Sequence, residues 1–138
     1  MGYIGQAPAN LASLPLTTLS DTTYSRMNFK DFGIVTTAKG NLGATPAFNM
    51  EDGNHQTGTV DQAITSSTFT NPTGTDELCS FVLTLTNGAA FSVTWPTSVD
   101  WEGGTAPTLT AAGVDILVFM TYDGGTTWHG MLSSLGSA

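Results

Sequence analysis

The clearest signal along the chain is a two-residue alternation of apolar and polar positions. From Leu78 to Thr86, Cys79, Phe81, Leu83 and Leu85 fall on one side and Ser80, Thr84 and Thr86 on the other. That is the period of a half-buried strand. Asn87-Gly88 follows, and then Phe91, Val93 and Trp95 alternate with Ala90, Ser92 and Thr94. Asn-Gly between alternating runs predicts a tight hairpin, because both turn residues must tolerate positive φ. Pro96 ends the second run. Val114 to Tyr122 is apolar on both faces: Val114, Ile116, Val118 and Met120 share one, Leu117 and Phe119 the other, and Asp115 interrupts near the start. Such a strand is central or lies in an interface.

Weaker strand patterns occupy residues 33–38, 44–49, 57–62 and 68–70, separated by turn clusters at Asp52-Gly53-Asn54 and Asn71-Pro72-Thr73-Gly74. Seven or eight short strands with frequent turns predict an all-β domain over residues 29–138, an antiparallel β-sandwich of jelly-roll type. No helix is expected. The one window that invites it, Leu11–Leu19, has Pro15 at its centre. Residues 1–28 have scattered apolar positions and no sustained period, so they read as an extended N-terminal arm without a core. An arm of this kind is held by a neighbour or wraps its own domain. Its candidate contact residues are Tyr3, Ile4, Leu11, Leu14, Leu16 and Leu19.

Composition narrows the function classes. The 138 residues fit one domain, large enough to bury about two thirds of the unfolded surface. Charged residues are 10%, against about 25% in an average soluble domain. Arg26, Lys30 and Lys39 are the only strong cations in a chain of net charge −8, too few for the basic patch that displaces phosphate counterions. Nucleic acid is therefore not an expected partner. Neither is a membrane, since no apolar run approaches the ~20 residues of a span. The first residues, Met1 to Gln6, lack the basic start and apolar run of a secretory signal. A lone Cys79 excludes an internal disulfide and a cysteine-rich zinc site; its alternation with core positions makes it a small buried hydrophobe. Polarity rests instead on uncharged side chains, among them 24 threonines, which suit the outer faces of strands.

Candidate chemistry is thin. Glu51-Asp52-x-x-His55 has acid and imidazole in a loop-like spacing, without a second histidine nearby, and reads as a turn rather than a metal site. Nearly all of the acids Glu51, Asp52, Asp61, Asp76, Glu77, Asp100, Glu102, Asp115 and Asp123 flank predicted turns, where carboxylates commonly cap backbone groups. Paired carboxylates for glycoside hydrolysis are thus not expected. No G-x-S-x-G elbow occurs. The chain is read as a non-enzyme, with no catalytic residue, no cofactor and no metal. Trp95 and Trp101, joined by a turn at Pro96–Asp100, are expected to meet at one end of the domain, as packing or as a carbohydrate platform. Thr121-Tyr122-Asp123-Gly124-Gly125-Thr126-Thr127-Trp128 fits [ST]-x-D-x-G-x-T-W. It resembles the Asp-box hairpin of sialidases and several secreted β proteins, where the box is structural. Asp123, Gly124, Gly125 and Trp128 are its counterparts here. A sialidase grips its carboxylate substrate with several arginines, and this chain has Arg26 alone.

A longer resemblance covers roughly residues 29–130. Phe81-Val82-Leu83-Thr84-Leu85-Thr86, Val93-Thr94-Trp95-Pro96, Trp101-x-Gly103-Gly104-Thr105-Ala106-Pro107-Thr108-Leu109-Thr110, Asp115-Ile116-Leu117-x-Phe119 and Tyr122 to Trp128 follow one another in that order. Together they resemble a β domain of virion structural proteins of tailed bacteriophages. Phe29 to Gly33 and Gly40 to Gly43 are similar to its lead-in, and Met1 to Pro8 to the start of phage tail-fibre and appendage proteins. The resemblance implies a particle component. One small domain plus an arm, without repeats or a coiled-coil stalk, implies a capsid decoration or cement protein on the particle exterior. Such a protein would be a homo-oligomer, in this reading a trimer, bound to the major capsid protein or other virion subunits. The alternative is a tail-fibre, adaptor or receptor-binding component facing a host glycan.

Overall fold

The computed structural model describes residues 30–137. The arm residues Tyr3, Ile4, Leu11, Leu14, Leu16 and Leu19 lie outside the described residues. The described part is all-β, with eight strands: β1 (Thr36–Asn41), β2 (Ala47–Asn49), β3 (His55–Thr59), β4 (Thr68–Thr70), β5 (Thr75–Thr86), β6 (Val99–Trp101), β7 (Val114–Asp123) and β8 (Trp128–Ser137). Six form one sheet in the order β1-β3-β5-β7-β8-β6, and β2 pairs with β4. Short 3₁₀ turns occupy Met50–Asp52 and Glu102–Gly104.

The sheet is mixed, which corrects the antiparallel expectation. β5/β7 and β7/β8 are antiparallel, whereas β1/β3, β3/β5, β6/β8 and β2/β4 are parallel. Long excursions explain the difference. Residues 42–54 join β1 to β3 and residues 60–74 join β3 to β5, and parallel neighbours need crossovers of that length rather than tight turns; the excursion over residues 87–113 links the antiparallel pair β5 and β7.

The Asn87-Gly88 hairpin is also corrected. Asn87 does turn the chain at φ 59°, but residues 91–95 do not return along β5. Both edges of β5 are already occupied, by β3 and β7. The turn instead docks on the segment before β7: the Asn87 amide donates to the Gly113 carbonyl (2.9 Å) and the Ala89 amide to Thr110 (2.8 Å). Glycine is required here by proximity. A Cβ at position 88 would stand 2.8 Å from both Asp115 Oδ2 and Leu109 Cδ1. Val93 then bridges to Ile64 in parallel. The segment expected to turn at Pro96–Asp100 contains the start of β6, and β8 was not anticipated.

Alternation places the core as the sequence pattern requires. Cys79, Phe81, Leu83 and Leu85 of β5 face the same side as Leu117 and Phe119 of β7, and all are buried. β2 and β4 contribute Phe48 and Phe69 to that side. The Phe69 ring lies 4.9 Å from Phe81, 4.8 Å from Phe119 and 5.4 Å from Trp128, in edge-on geometries that favour aromatic pairs. Phe81 and Phe119 stack at 5.0 Å across the β5/β7 ladder, where they are register partners.

Candidate functional site

Three groups of chemistry-bearing side chains emerge from this frame. The first is the β7–β8 turn. Gly124 and Gly125 take φ 67° and 85°, a left-handed pair that costs a side-chain-bearing residue but not glycine. Asp123 closes the turn. Its two carboxylate oxygens accept from the Thr127 amide (3.0 and 3.1 Å), and Oδ1 also accepts from the Thr121 hydroxyl (2.8 Å). Thr121 is fully buried and its Oγ1 in turn accepts from the Gly125 amide at 3.0 Å. Trp128, at the start of β8, is buried beneath the turn against Phe69 and Phe81. This network is a clamp on backbone amides, and its chemistry is structural.

The Thr127 amide, followed by the Thr121 hydroxyl, holds the Asp123 carboxyl below its ordinary value of 3.8. The folded state therefore binds the proton less readily than the unfolded chain. The stability this confers is complete above the unfolded value and is lost as pH falls through the lowered folded one. Asp123→Asn has no such proton to take up. The gap in melting temperature between the native protein and Asp123→Asn is expected to be widest near neutrality and to narrow below about pH 4. Melting curves from pH 7 to pH 2.5 measure it, and a constant gap would contradict the assignment.

The second group is the aromatic corner. Trp95 and Trp101 meet edge-on at 5.2 Å, and each also lies against Phe119, at 5.7 and 5.5 Å. Pro96 and the β6/β8 pairing bring them together: the Val99 amide donates to the Pro96 carbonyl, and the Trp128 amide to the Ser98 carbonyl. A cavity of about 320 Å³ adjoins this corner, lined by Asp100, Trp101, Glu102, His129, Gly130 and Met131. Beside it the exposed Tyr122 ring stacks on His129 at 5.7 Å and 16°. That stack is invisible in sequence. It arises because Met120 is opposite His129 across the β7/β8 ladder, which puts Tyr122 diagonally within reach.

The third group is the acid–histidine loop. Asp52 pairs with Lys39 at 3.1 Å on the surface, a contact of little energetic weight. The His55 ring engages hydroxyls on both nitrogens, Thr36 at 2.9 Å and Thr84 at 3.0 Å. Glu51 accepts from the Asn71 amide. The loop is thus held by separate local bonds. Among the described residues, no three His, Cys, Asp or Glu side chains converge as a metal site would require. Asp61 caps the Gly43 amide at 3.0 Å. Cys79 is buried among core side chains.

One of the acids expected to cap backbone groups is made prominent by the structure. Asp115, read as an interruption of β7, is fully buried. It accepts from the Thr110 amide (2.8 Å), the Thr110 hydroxyl (2.9 Å) and the Gly136 amide (2.9 Å). An acid within an otherwise apolar alternation, on the parity of Leu117 and Phe119, was the available signal.

No protein-family model, curated protein or solved structure matches this chain. Among the described residues, no helix is long and apolar enough to cross a membrane.

Proposed function

We propose that this chain is a structural protein of a tailed-bacteriophage virion, a decoration or cement protein on the outer surface of the head. In this reading it holds coat subunits through residues 1–28 and through its domain, and it self-associates, as a trimer. The observation that carries the reading is where the phage-like motif residues sit. Phe81, Trp95, Trp101, Phe119 and Trp128 belong to a continuous chain of ring contacts, while Asp115 and Asp123 secure the ends of β7. The motifs that carry the resemblance thus have architectural work, as expected of a particle component. The β2/β4 pair, laid on the main sheet through Phe48 and Phe69, supports a sandwich of jelly-roll type in which the second layer is reduced to two strands. Binding would be non-covalent, each contact gaining about 25 cal/mol per Å² of apolar area, multiplied by many sites on one lattice.

A second reading, a tail-fibre, adaptor or receptor-binding component, is favoured by the exposed Tyr122–His129 stack beside the Trp101 cavity. An aromatic face next to acidic side chains suits a host glycan. Imaging of the particle separates the two. A head protein is expected over the shell in a copy number that scales with the coat lattice. Copies confined to the tail would overturn the decoration reading.

A further inference from the structure

β6 ends at Trp101, opposite Gly130, and β8 runs on past it to Ser137. Two cavities lie at that step. The larger, about 320 Å³, is the one beside the Tyr122–His129 stack. The smaller, about 180 Å³, shares Trp101, Glu102, Gly130 and Met131 with it and reaches Thr105 and Pro107. The two adjoin as one cleft along Trp101, and the larger alone falls within the range of about 300–1,000 Å³ that holds small molecules. A glycine seats the indole. A Cβ at position 130 would stand 2.9 Å from Trp101 Cε3 and Cζ3 and from Val99 Cγ1. Trp95 and Phe119 pack edge-on against the half-buried ring, and its remaining surface lines both cavities. At the rim stand the exposed Asp100 and Glu102. His129 Nδ1 lies 3.9 Å from Asp100 Oδ2, too far for a hydrogen bond and a gap that one hydroxyl can bridge.

We infer that this cleft binds an uncharged oligosaccharide. A pyranose has an apolar C–H face and a rim of hydroxyls. The indole takes the face, and the carboxylates accept from the hydroxyls in charge-assisted bonds. The gap between His129 and Asp100 suits a hydroxyl because that group both donates and accepts, whereas an ammonium only donates. Charge narrows the class further. The chain carries −8, and the described strong cations, Lys30 and Lys39, do not line the cleft; Lys39 is engaged by Asp52. A uronate or sialic acid would meet two carboxylates with no cation to receive its own. Two adjoining cavities set the length at more than one sugar unit. The site rests on the glycan-facing reading above and gives that reading its ligand class. Particle imaging tests the location and saccharide binding tests the cleft, so each fails without the other.

The test titrates the full chain with cellotriose, maltotriose, N-acetylchitotriose, trigalacturonic acid and choline, followed by tryptophan fluorescence and by saturation-transfer NMR. At least one neutral trisaccharide is expected to bind with a dissociation constant of about 1 mM or tighter, and trigalacturonic acid at least about tenfold more weakly. Trp101→Ala is expected to abolish binding. Glu102→Ala, at an exposed position, is expected to weaken it at least about fivefold, with circular dichroism unchanged. Asp52→Ala, beside β1 at the opposite edge of the sheet, is expected to bind as the native protein does. If Trp101→Ala fails to fold, Glu102→Ala decides. Neutral sugar binding untouched by Glu102→Ala overturns the cleft as the site. Binding of no neutral trisaccharide overturns the inference, as does choline binding in place of sugar, which would assign the carboxylates to an organic cation. Trigalacturonic acid bound as tightly as the neutral sugars overturns the restriction to uncharged ligands.

Discussion

Replacing Phe119 with alanine is expected to lower the free energy of unfolding by about 3–5 kcal/mol. Phe119 is fully buried and sits at the centre of the ring cluster, 4.8 Å from Phe69, 5.0 Å from Phe81, 5.7 Å from Trp95 and 5.5 Å from Trp101. Truncation removes apolar area and leaves a cavity walled by rings. Those rings are rigid, belong to β4, β5, β6 and the loop before β6, and cannot all move inward together. The cavity cost therefore adds to the transfer cost. A domain of this size has about 5–15 kcal/mol of total stability, so the variant stands near the edge of folding. Urea titration measures the loss, and tryptophan fluorescence reports the released corner. Tyr122→Ala is the control, with an expected change within about 0.5 kcal/mol, because Tyr122 is 61% exposed. A loss below 1 kcal/mol for Phe119→Ala would show that the corner collapses onto the gap.

The strands that sequence made legible are those whose pattern is local. β5 and β7 alternate strongly over many residues, so Phe81, Leu83, Leu117 and Phe119 could be assigned a face before any partner was known. β8 could not. Its run from His129 to Ser137 contains Gly130, Ser133, Ser134 and Gly136, and it becomes a strand because the Asp123 clamp returns it along β7. β6 is three residues long and exists only through pairing with β8. Strand direction was equally hidden, since parallel and antiparallel strands share the same two-residue period. Asn87-Gly88 shows how far a turn signal reaches. It fixes a local reversal, and the availability of a free strand edge decides where the chain goes next. The same divide runs through the site. Trp95 and Trp101 are near in sequence and their meeting could be read from the proline turn. The Tyr122–His129 stack depends on ladder register, and one partner of Asp115, the Gly136 amide, comes from the far end of β8.

Asp115→Ala is the second large effect, expected at about 3–4 kcal/mol. The carboxylate accepts three hydrogen bonds at 2.8–2.9 Å, two from Thr110 and one from the Gly136 amide. It thereby ties the end of the 87–113 excursion to the last turn of β8. Burying an ion is costly, and the net value of the three bonds to the native state is modest. Deleting the acceptor is a different operation. It leaves two backbone amides and a hydroxyl without a partner, and each orphaned buried donor costs about 1–3 kcal/mol. Asp115→Asn separates these contributions. The amide has nearly the same volume but presents one oxygen and one NH₂ to donors on both sides. One bond becomes a donor–donor clash, and the loss is expected near 2 kcal/mol, between the native protein and alanine. If packing volume alone mattered, asparagine would match the native protein. Hydrogen exchange localises the effect: the Thr110 and Gly136 amides are expected to exchange faster in Asp115→Ala than global unfolding explains, because they open without their acceptor. Unchanged protection at both amides would mean that the excursion is held by the Asn87 and Ala89 backbone bonds and that Asp115 is dispensable.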